Sequence, residues 1–230
     1  MNEADVPKHI GYIVDGNRRW AKQHGLPAYE GHMAGYSTLQ DVLIETLEQG
    51  VEYVSAYVFS TENWKRSEDE VGRLMGLILK IFTSDLHILQ EKNVRLRVLG
   101  TQEGVSDKVL KAIAEAEAAT KDNTGGTLAL CFNYGGQTEI VDAVKQIIKQ
   151  GISADEVTPE LISEYLYDPE IPPCDIVVRT SGEQRLSNFM LWRSAYSELM
   201  FIEKNWPDMT KQDVIDIIEE YKLRGRRFGG

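Results

Sequence analysis

The chain has 230 residues, 42% of them hydrophobic, which is enough to build the core of one domain. Its 25 Lys and Arg against 36 Asp and Glu give a net charge of −11, so nucleic acid is excluded as an expected partner. Only Cys131 and Cys174 occur, which excludes a disulfide framework and favours a reducing compartment. We see no signal peptide or membrane-spanning run, and we therefore expect a cytoplasmic protein.

Apolar runs and helical patterns alternate along the chain. The apolar runs predict strands near 10–14, 51–59, 94–99, 127–132, 174–178 and 198–202. The segments between them predict helices near 33–49, 69–91, 106–121, 137–150, 158–166 and 210–223. This alternation predicts an α/β fold in which a mostly parallel sheet carries helices on both faces. Because no repeat, low-complexity tract or linker interrupts the pattern, we expect a single domain over residues 1–230.

The first predicted strand ends in chemistry suited to phosphate. Asp15 stands at its carboxyl end, and a turn and helix start follow, built from Gly16, Asn17, Arg18 and Arg19. Free amide groups at a helix start, together with arginine, bind phosphate. A carboxylate among them is explained by a divalent cation, since magnesium takes carboxylate and phosphate oxygens together. The alternative is that Asp15 is an ordinary helix N-cap.

Two later strands end in a similar way. The strand at 51–59 is followed by polar, aromatic and basic residues, FSTENWKR in one-letter code. The strand at 174–178 is followed by RTSGEQRLSNF, which places Arg179, Arg185 and Ser187 near one another. Two guanidinium groups with a hydroxyl suit a doubly charged phosphate ester, although surface ion pairs are the ordinary alternative. Because ligands collect at the carboxyl ends of strands in open α/β sheets, we predict an anion site there.

The three blocks together resemble a known family. DGNRRWA, FSTENWKR and RTSGEQRLSNF followed by AYSEL are similar to the signature blocks of the cis-prenyltransferases, the undecaprenyl diphosphate synthase family. Further matches are Gly31-His32, FNYGG at 132–136 and RRFGG at 226–230, so the likeness runs from His9 to the carboxyl terminus. The resemblance implies that isopentenyl diphosphate is condensed onto an allylic diphosphate, such as farnesyl diphosphate, with Z geometry. It also implies a six-stranded parallel sheet with an elongated hydrophobic product tunnel.

The resemblance implies a role for each matching residue. Asp15 would position magnesium, the implied cofactor, near the leaving diphosphate, and Glu198 would help to hold that metal. Asn63 would assist removal of the proton from isopentenyl diphosphate. The allylic diphosphate would be held by Gly16, Asn17, Arg18, Arg19 and His32. Isopentenyl diphosphate would be held by Arg179, Arg185 and Ser187. The other residues expected to bind substrate are Trp20, Ser60, Thr61, Glu62, Trp64 and Arg66.

Some of these residues have ordinary structural alternatives. His32 precedes the predicted helix at 33–49, where a capping or surface histidine would be unremarkable. Trp64 could be a core residue. Glu198 begins an apolar strand, where an unpaired carboxylate would be costly, so we expect a metal or an arginine as its partner.

The chain terminus carries a further implied role. Residues 224–230 contain the family's Arg-x-Gly ending, here Arg227 to Gly229, which would reach the diphosphate site of a neighbouring subunit. That implies a homodimer whose sites are completed across the interface, whereas a basic tail would otherwise be a solvated end. A long polyprenyl product is insoluble in water, so we expect transient contact with the inner membrane surface during its release.

One departure from the family pattern bears on substrate affinity, and the residues of the tunnel wall bear on product length. Ala28 stands where bacterial members commonly have an arginine that contacts the allylic diphosphate, and Lys22 is the candidate basic group to offset that loss. Val58 stands where long-chain members usually have a small residue. The other predicted positions of the tunnel wall are Glu70, Leu77, Ile81, Leu128 and Leu130. We expect a product in the C50–C60 class, with a shorter Z-prenyl diphosphate as the alternative.

Two other functions are alternatives to this one. Non-catalytic partner subunits of the same family typically lose the first-block aspartate and much of the arginine block, both of which this chain keeps. An unrelated phosphate-binding protein or phosphate-ester hydrolase would handle a similar anion. Neither a GxxxxGK[ST] loop nor a GxGxxG fingerprint occurs, and the apolar face of the helix at 69–91 favours a lipid chain.

Overall fold

The computed structural model describes residues 6–224. Its strands are β1 (His9–Ile13), β2 (Tyr53–Ser60), β3 (Arg95–Leu99), β4 (Thr127–Tyr134), β5 (Ile176–Arg179) and β6 (Glu198–Phe201). Its α-helices are α1 (Asn17–Gln23), α2 (Ala28–Glu48), α3 (Glu68–Phe82), α4 (Leu86–Glu91), α5 (Asp107–Thr120), α6 (Gly136–Lys149), α7 (Pro159–Glu164) and α8 (Lys211–Leu223). Short 3-10 helices span Thr61–Lys65, Ala154–Glu156 and Trp206–Asp208.

The strands form one six-stranded sheet in the order β3-β4-β2-β1-β5-β6, and every neighbouring pair is parallel. The predicted sheet is therefore confirmed, with all six strands close to their predicted positions. β1 lies between β2 and β5, and Ile13 is level with Arg179 of β5. The three sequence blocks thus begin at the same edge of the sheet, because the carboxyl ends of parallel strands lie side by side.

The core occupies both faces of the sheet, as a parallel sheet between helices requires. Ile10 and Tyr12 of β1 point into the larger cluster, which α2, α3, α5 and α8 cover. Ile13 points to the other face, where Tyr57 and Phe189 stack with ring centres 5.0 Å apart. Within residues 6–224, no helix is long and apolar enough to cross a membrane.

Two helices differ from their predicted extents. α2 begins at Ala28, five residues before the predicted start, so His32 lies inside the helix and is not a residue preceding it. Its N-cap is Pro27, whose side chain makes no cap hydrogen bond, so the usual Ser, Thr, Asp or Asn signal is missing. Gly31 is needed in this helix because a Cβ atom there would lie 2.0 Å from the carbonyl oxygen of Asn17.

The predicted helix at 69–91 is two helices, α3 and α4, separated at residues 83–85. Thr83 leaves helical geometry with φ −124° and ψ −87°, and its hydroxyl donates to the carbonyl of Leu79 at 2.8 Å. Such side-chain bonds to the backbone compete with continuation of a helix. Asp85 then accepts hydrogen bonds from Tyr36 and Gln40 of α2, which fixes the break against the neighbouring helix.

Candidate active site

Asp15 follows β1 and is held by its backbone at the carboxyl edge of the sheet. Its amide donates to Thr180 Oγ1 at 3.1 Å, and that hydroxyl donates to the carbonyl of Asp15 at 2.6 Å. Gly16, at φ 104°, is the N-cap of α1, so the alternative that Asp15 caps this helix is wrong. A Cβ atom on Gly16 would lie 2.5 Å from Asn205 Oδ1, so both the conformation and the space at this turn require glycine.

Arg179 ends β5 and reaches across to Asp15. Its Nη2 donates to Asp15 Oδ2 at 2.8 Å, while its Nη1 donates to the carbonyl of Arg185 at 2.6 Å and to Ser187 Oγ at 2.7 Å. The Arg179 side chain is 5% exposed and that of Asp15 is 32% exposed. The buried guanidinium therefore has a fixed position, and because Ser187 accepts this bond, its own hydroxyl proton is available to a ligand.

The loop after β5 has an unusual backbone. Ser181, Ser187, Asn188 and Met190 all have positive φ, between 42° and 74°. Asn188 anchors this loop: its carbonyl accepts from the Gly136 amide at 2.7 Å and its Oδ1 accepts from the Gln137 amide at 2.8 Å. Strained backbone of this kind persists only where surrounding contacts hold it, and it is concentrated at functional sites.

Asn188 also joins the second block to the third. Its Nδ2 donates to Glu62 Oε1 at 3.1 Å. A Cβ atom on Gly135 would lie 2.8 Å from Asn188 Nδ2 and 2.9 Å from Thr61 Oγ1, so glycine is needed where these segments meet. The FNYGG match therefore has a packing role beside the site.

The arginines of the first block divide between two sides of the site. Arg19 turns to the third block, where Nη1 donates to the carbonyl of Ser181 at 2.5 Å and Nη2 donates to Glu183 Oε1 at 2.8 Å. Arg185 pairs with the same carboxylate through Glu183 Oε2. Glu183 was not predicted from the sequence. Its position two residues before Arg185 was the signal, since a lone carboxylate between arginines is a natural pairing partner.

His32, Arg66 and Glu70 form the other side. Arg66 Nη1 donates to Glu70 Oε1 at 2.8 Å, and His32 Nε2 lies 3.4 Å from the same oxygen. Burial, with the charges of Arg66 and Arg18, lowers the pKa of His32, so its imidazole is neutral at pH 7. Burial alone would raise the pKa of Glu70, but the charge and hydrogen bond of Arg66 bring it below its usual value. Glu70, predicted as a tunnel-wall residue, therefore holds this cluster together.

Asn63 and Trp64 lie in the short 3-10 helix after β2. Asn63 Oδ1 accepts from the backbone amide of Ser60 at 3.1 Å. The Ser60 side chain accepts in turn from the backbone amide of Asn63, which completes a capping box. Because Oδ1 is occupied, the group that Asn63 can offer a ligand is its NH₂. Trp64 Nε1 donates to Asn133 Oδ1 at 2.7 Å, and its ring meets Phe59 edge-on.

A cavity of about 140 Å³ opens between these groups and runs between α2, α3 and the sheet. Its polar lining residues are Asn17, His32, Asn63 and Arg66. Its apolar walls are built from both helices and from β2, and they include Leu39, Val58, Leu74, Leu77, Ile78 and Ile81. A second cavity of about 30 Å³ shares Leu39 and Ile81 and is lined by Leu128 and Leu130. The predicted wall positions, Glu70 excepted, therefore line two adjoining apolar spaces.

Asp15 fits one part of a magnesium site. Magnesium is commonly held by one or two carboxylates, with substrate phosphates and water as its other ligands. Asp15 offers a partly exposed carboxylate beside the guanidinium of Arg179. Among residues 6–224, no group of three or more His, Cys, Asp or Glu side chains is arranged to hold a metal. A metal at Asp15 would therefore depend on oxygens of the substrate, as expected for a diphosphate-binding site.

Two predicted residues of the described range are not assembled with the others. Glu198 begins β6 level with Ile176, three residues or about 10 Å from the edge where Asp15 lies. Its carboxylate lies 3.6 Å from Arg224 Nη1, so an arginine is its partner. Trp20 lies on the side of α1 that faces away from the cavity. Its ring centre is 4.1 Å from that of His24, and its Nε1 donates to Asp208 Oδ1 at 2.7 Å.

Arg227 and Gly229 of the tail lie outside the described residues. The role of the tail, and that of Glu198 at a metal, stay predictions.

Comparisons with known proteins agree with this geometry. Residues 13–229 match the sequence model of the prenyltransferase family described as "Putative undecaprenyl diphosphate synthase". The chain belongs to the undecaprenyl diphosphate synthase family. An isoprenyl transferase of Thermotoga maritima is 48% identical over 98% of this chain and 97% of its own length. A trans,polycis-polyprenyl diphosphate synthase of Thermobifida fusca, specific for (2Z,6E)-farnesyl diphosphate, is 46% identical over 98% of this chain and 81% of its own length.

The fold of this prenyltransferase has a close counterpart among solved structures. The crystal structure of lavandulyl diphosphate synthase from Lavandula x intermedia, in complex with dimethylallyl diphosphate, superposes with a TM-score of 0.94. The two sequences are 29% identical, and the match covers 99% of this chain and all of the plant chain. The family prediction is confirmed, and the protein is a prenyl-transferring enzyme.

Proposed function

We propose that this enzyme condenses isopentenyl diphosphate onto an allylic diphosphate, with farnesyl diphosphate as the primer, and forms a Z-polyprenyl diphosphate. The observation that carries the proposal is the contact of Asp15 with Arg179 beside a cavity with a polar mouth and apolar walls. A substrate with a charged head and an isoprenoid tail matches that combination. The name of the Thermobifida relative supports a farnesyl primer.

Loss of diphosphate from the allylic substrate is the step for which the site is built. Negative charge grows on the leaving group, and fixed positive groups stabilise it most when they need no rearrangement. Magnesium, when bound at Asp15, would supply a Lewis acid for the diphosphate oxygens. The neutral, hydrogen-bonding His32 lines the cavity on the allylic side, and Arg18 is close enough for its charge to lower the pKa of His32.

Isopentenyl diphosphate is assigned to the β5 side. Arg19, which the resemblance assigns to the allylic diphosphate, is placed here on the β5 side because it turns to the third block. Within residues 6–224, the exposed guanidinium groups of Arg19 and Arg185 pair with Glu183, and that of Arg19 also with the backbone, and such surface pairs exchange readily for a phosphate. The Ser187 hydroxyl donates to the same diphosphate, while Arg179 keeps Asp15 in place between the two substrates. Asn63 would orient the isopentenyl unit through its NH₂ group. Transfer of the departing proton to an oxygen of the leaving diphosphate is consistent with an amide that cannot itself act as a base.

Product length is proposed to lie in the C50–C60 class, for use as a lipid carrier. The two cavities, about 140 and 30 Å³, are smaller than the roughly 300 Å³ of a typical ligand pocket. A long chain would therefore need α3 to move away from α2 at Leu39 and Ile81. A shorter Z-prenyl diphosphate is the second candidate, favoured by these small cavities and by the likeness to lavandulyl diphosphate synthase.

We also propose a homodimer with transient contact to the inner membrane surface. α6 presents three exposed apolar side chains on one face, Val141, Val144 and Ile148, which supports an interface there. Light scattering of the wild type and of Ile148→Lys tests it. A wild-type monomer at micromolar concentration would refute the dimer. Co-sedimentation with vesicles, with and without product, tests the membrane contact.

The activity is tested by incubating the purified protein with magnesium, labelled isopentenyl diphosphate and farnesyl diphosphate. We expect labelled Z-polyprenyl diphosphates, whose length decides between the two product classes, and their loss in Asp15→Ala. Release of pyrophosphate is measured with and without isopentenyl diphosphate. Release that does not require isopentenyl diphosphate would support hydrolysis instead, and absence of elongation by a folded protein would support a non-catalytic partner subunit.

A further inference from the structure

A third cavity, distinct from the two apolar ones, lies beside the mouth of the 140 Å³ cavity. It has a volume of about 240 Å³ and is enclosed by the start of α2 and the first turns of α3. Both cavities are lined by His32, so they adjoin at that side chain. The diphosphate of an allylic substrate whose tail fills the apolar cavity would lie at this junction.

Ala28, at the position where the resemblance implies an arginine, contributes only a small side chain to this cavity. Lys22, the other basic group considered for compensation, is not among the lining residues of either cavity. Arg73 lines the cavity from the opposite wall, on α3. An arginine is therefore still present at this place, but it is contributed by the other helix.

Arg73 is held without being neutralised. Its guanidinium carbon lies 5.3 Å from the centre of the Tyr29 ring, within the range of a cation–π contact. Asp69 and Glu70 line the same cavity, yet Glu70 pairs with Arg66, and among residues 6–224 no carboxylate forms an ion pair with Arg73. An exposed cation that an aromatic ring orients, and that no carboxylate neutralises, is well suited to bind an incoming anion.

We propose that Arg73 binds the diphosphate of the allylic substrate in place of the arginine missing at Ala28, with Tyr29 orienting its guanidinium. This inference rests on the proposed function and extends it by naming a specificity-determining residue. The guanidinium can chelate two diphosphate oxygens, and a charge-assisted hydrogen bond of this kind changes affinity by about 10- to 100-fold. The effect belongs to the allylic substrate alone, because isopentenyl diphosphate binds at the β5 side.

Steady-state kinetics of Arg73→Gln provide the test. We expect KM for farnesyl diphosphate to rise at least about tenfold, while kcat and KM for isopentenyl diphosphate stay within about twofold. Tyr29→Ala should give a smaller rise in the same parameter. Adding Ala28→Arg to Arg73→Gln should restore the affinity, which loss of a merely structural contact would not predict. Lys80→Gln, at an exposed cation farther along α3, is the matched control and should behave like the wild type.

Binding of farnesyl thiodiphosphate, measured by calorimetry, separates this inference from the proposed function. If the wild type binds this unreactive probe but elongates nothing, the proposed function fails, and a weaker Kd for Arg73→Gln still supports the Arg73 assignment. An unchanged KM and Kd in Arg73→Gln would overturn the inference. It would also be overturned if Lys80→Gln lost as much affinity, or if Ala28→Arg restored none.

Discussion

The buried ion pair of Arg193 with Glu139 supports a strong prediction about stability. The Arg193 side chain is 3% exposed and that of Glu139 is fully buried, with Nη1 and Oε1 2.5 Å apart. Arg193 also donates to three carbonyls, those of Ile171, Tyr167 and Asp168. Replacing Arg193 by Met removes every one of these bonds and leaves a carboxylate buried without its charge partner. We expect a loss of about 3–5 kcal/mol in the free energy of unfolding.

That loss is a large part of the total free energy of unfolding, since domains are stable by about 5–15 kcal/mol. Urea unfolding at pH 7, followed by tryptophan fluorescence and circular dichroism, measures it. The double variant Arg193→Met with Glu139→Leu should recover part of the loss, because neither charge then remains buried. Lys111→Met, which breaks an exposed pair with Glu115, is the control and should cost less than about 1 kcal/mol. A cost below about 1 kcal/mol for Arg193→Met, or no recovery in the double variant, would refute the reasoning.

Three further predictions concern catalysis, packing and pH. Asp15→Asn keeps a hydrogen bond to Arg179 but removes the charge, so kcat for isopentenyl incorporation should fall at least about 100-fold in a folded protein. Gly31→Ala forces a Cβ atom against the Asn17 carbonyl, so denaturation should show a loss of about 1–3 kcal/mol and α1 should be displaced. His9 is buried and its pKa is lowered to about 4, chiefly by that burial, so only the unfolded chain binds its proton between pH 6.5 and 4. Stability should therefore fall as the pH decreases through this window, by up to about 3 kcal/mol more than in His9→Gln.

Each of these has an outcome that contradicts it. An Asp15→Asn enzyme within tenfold of wild-type kcat would remove Asp15 from the chemistry. Gly76→Ala is the control for Gly31, because nothing lies within 4 Å of a Cβ atom there, and it should be neutral or stabilising. Equal losses of stability in Gly31→Ala and Gly76→Ala would mean that the close approach of α1 to α2 does not contribute to stability. Parallel pH–stability curves for the wild type and His9→Gln would show that His9 is protonated as readily in the folded state as in the unfolded chain.

The sequence was sufficient to predict the sheet and to place Asp15 and Arg179 at the same edge of it, although their ion pair was not predicted. Asp15 and Arg179 are 164 residues apart, yet each follows a buried strand, and parallel strand ends must meet at one edge. Helix boundaries were harder to predict from the sequence. The break after Phe82 is fixed in part by hydrogen bonds from α2 to Asp85, which no local pattern encodes. Glu70 was misassigned to the tunnel wall for a similar reason. Arg66 precedes α3 in extended geometry, so its ion pair with Glu70 is not a helical one, and the contact of Glu70 with His32 arises only from packing of α2 on α3.

An acidic protein that binds two diphosphates must keep its arginines in place before substrate arrives. Arg19 and Arg185 share Glu183, and Arg66 pairs with Glu70, so each of these three guanidinium groups has a carboxylate to orient it. These ion pairs are weak at a surface, so a diphosphate with several charged oxygens can replace the carboxylate as the partner of the arginine. Arg179 is different, because burial fixes its position and its bond to Asp15. In the proposed function, the buried cation would position the Asp15 carboxylate, and the exchangeable cations would receive the substrates.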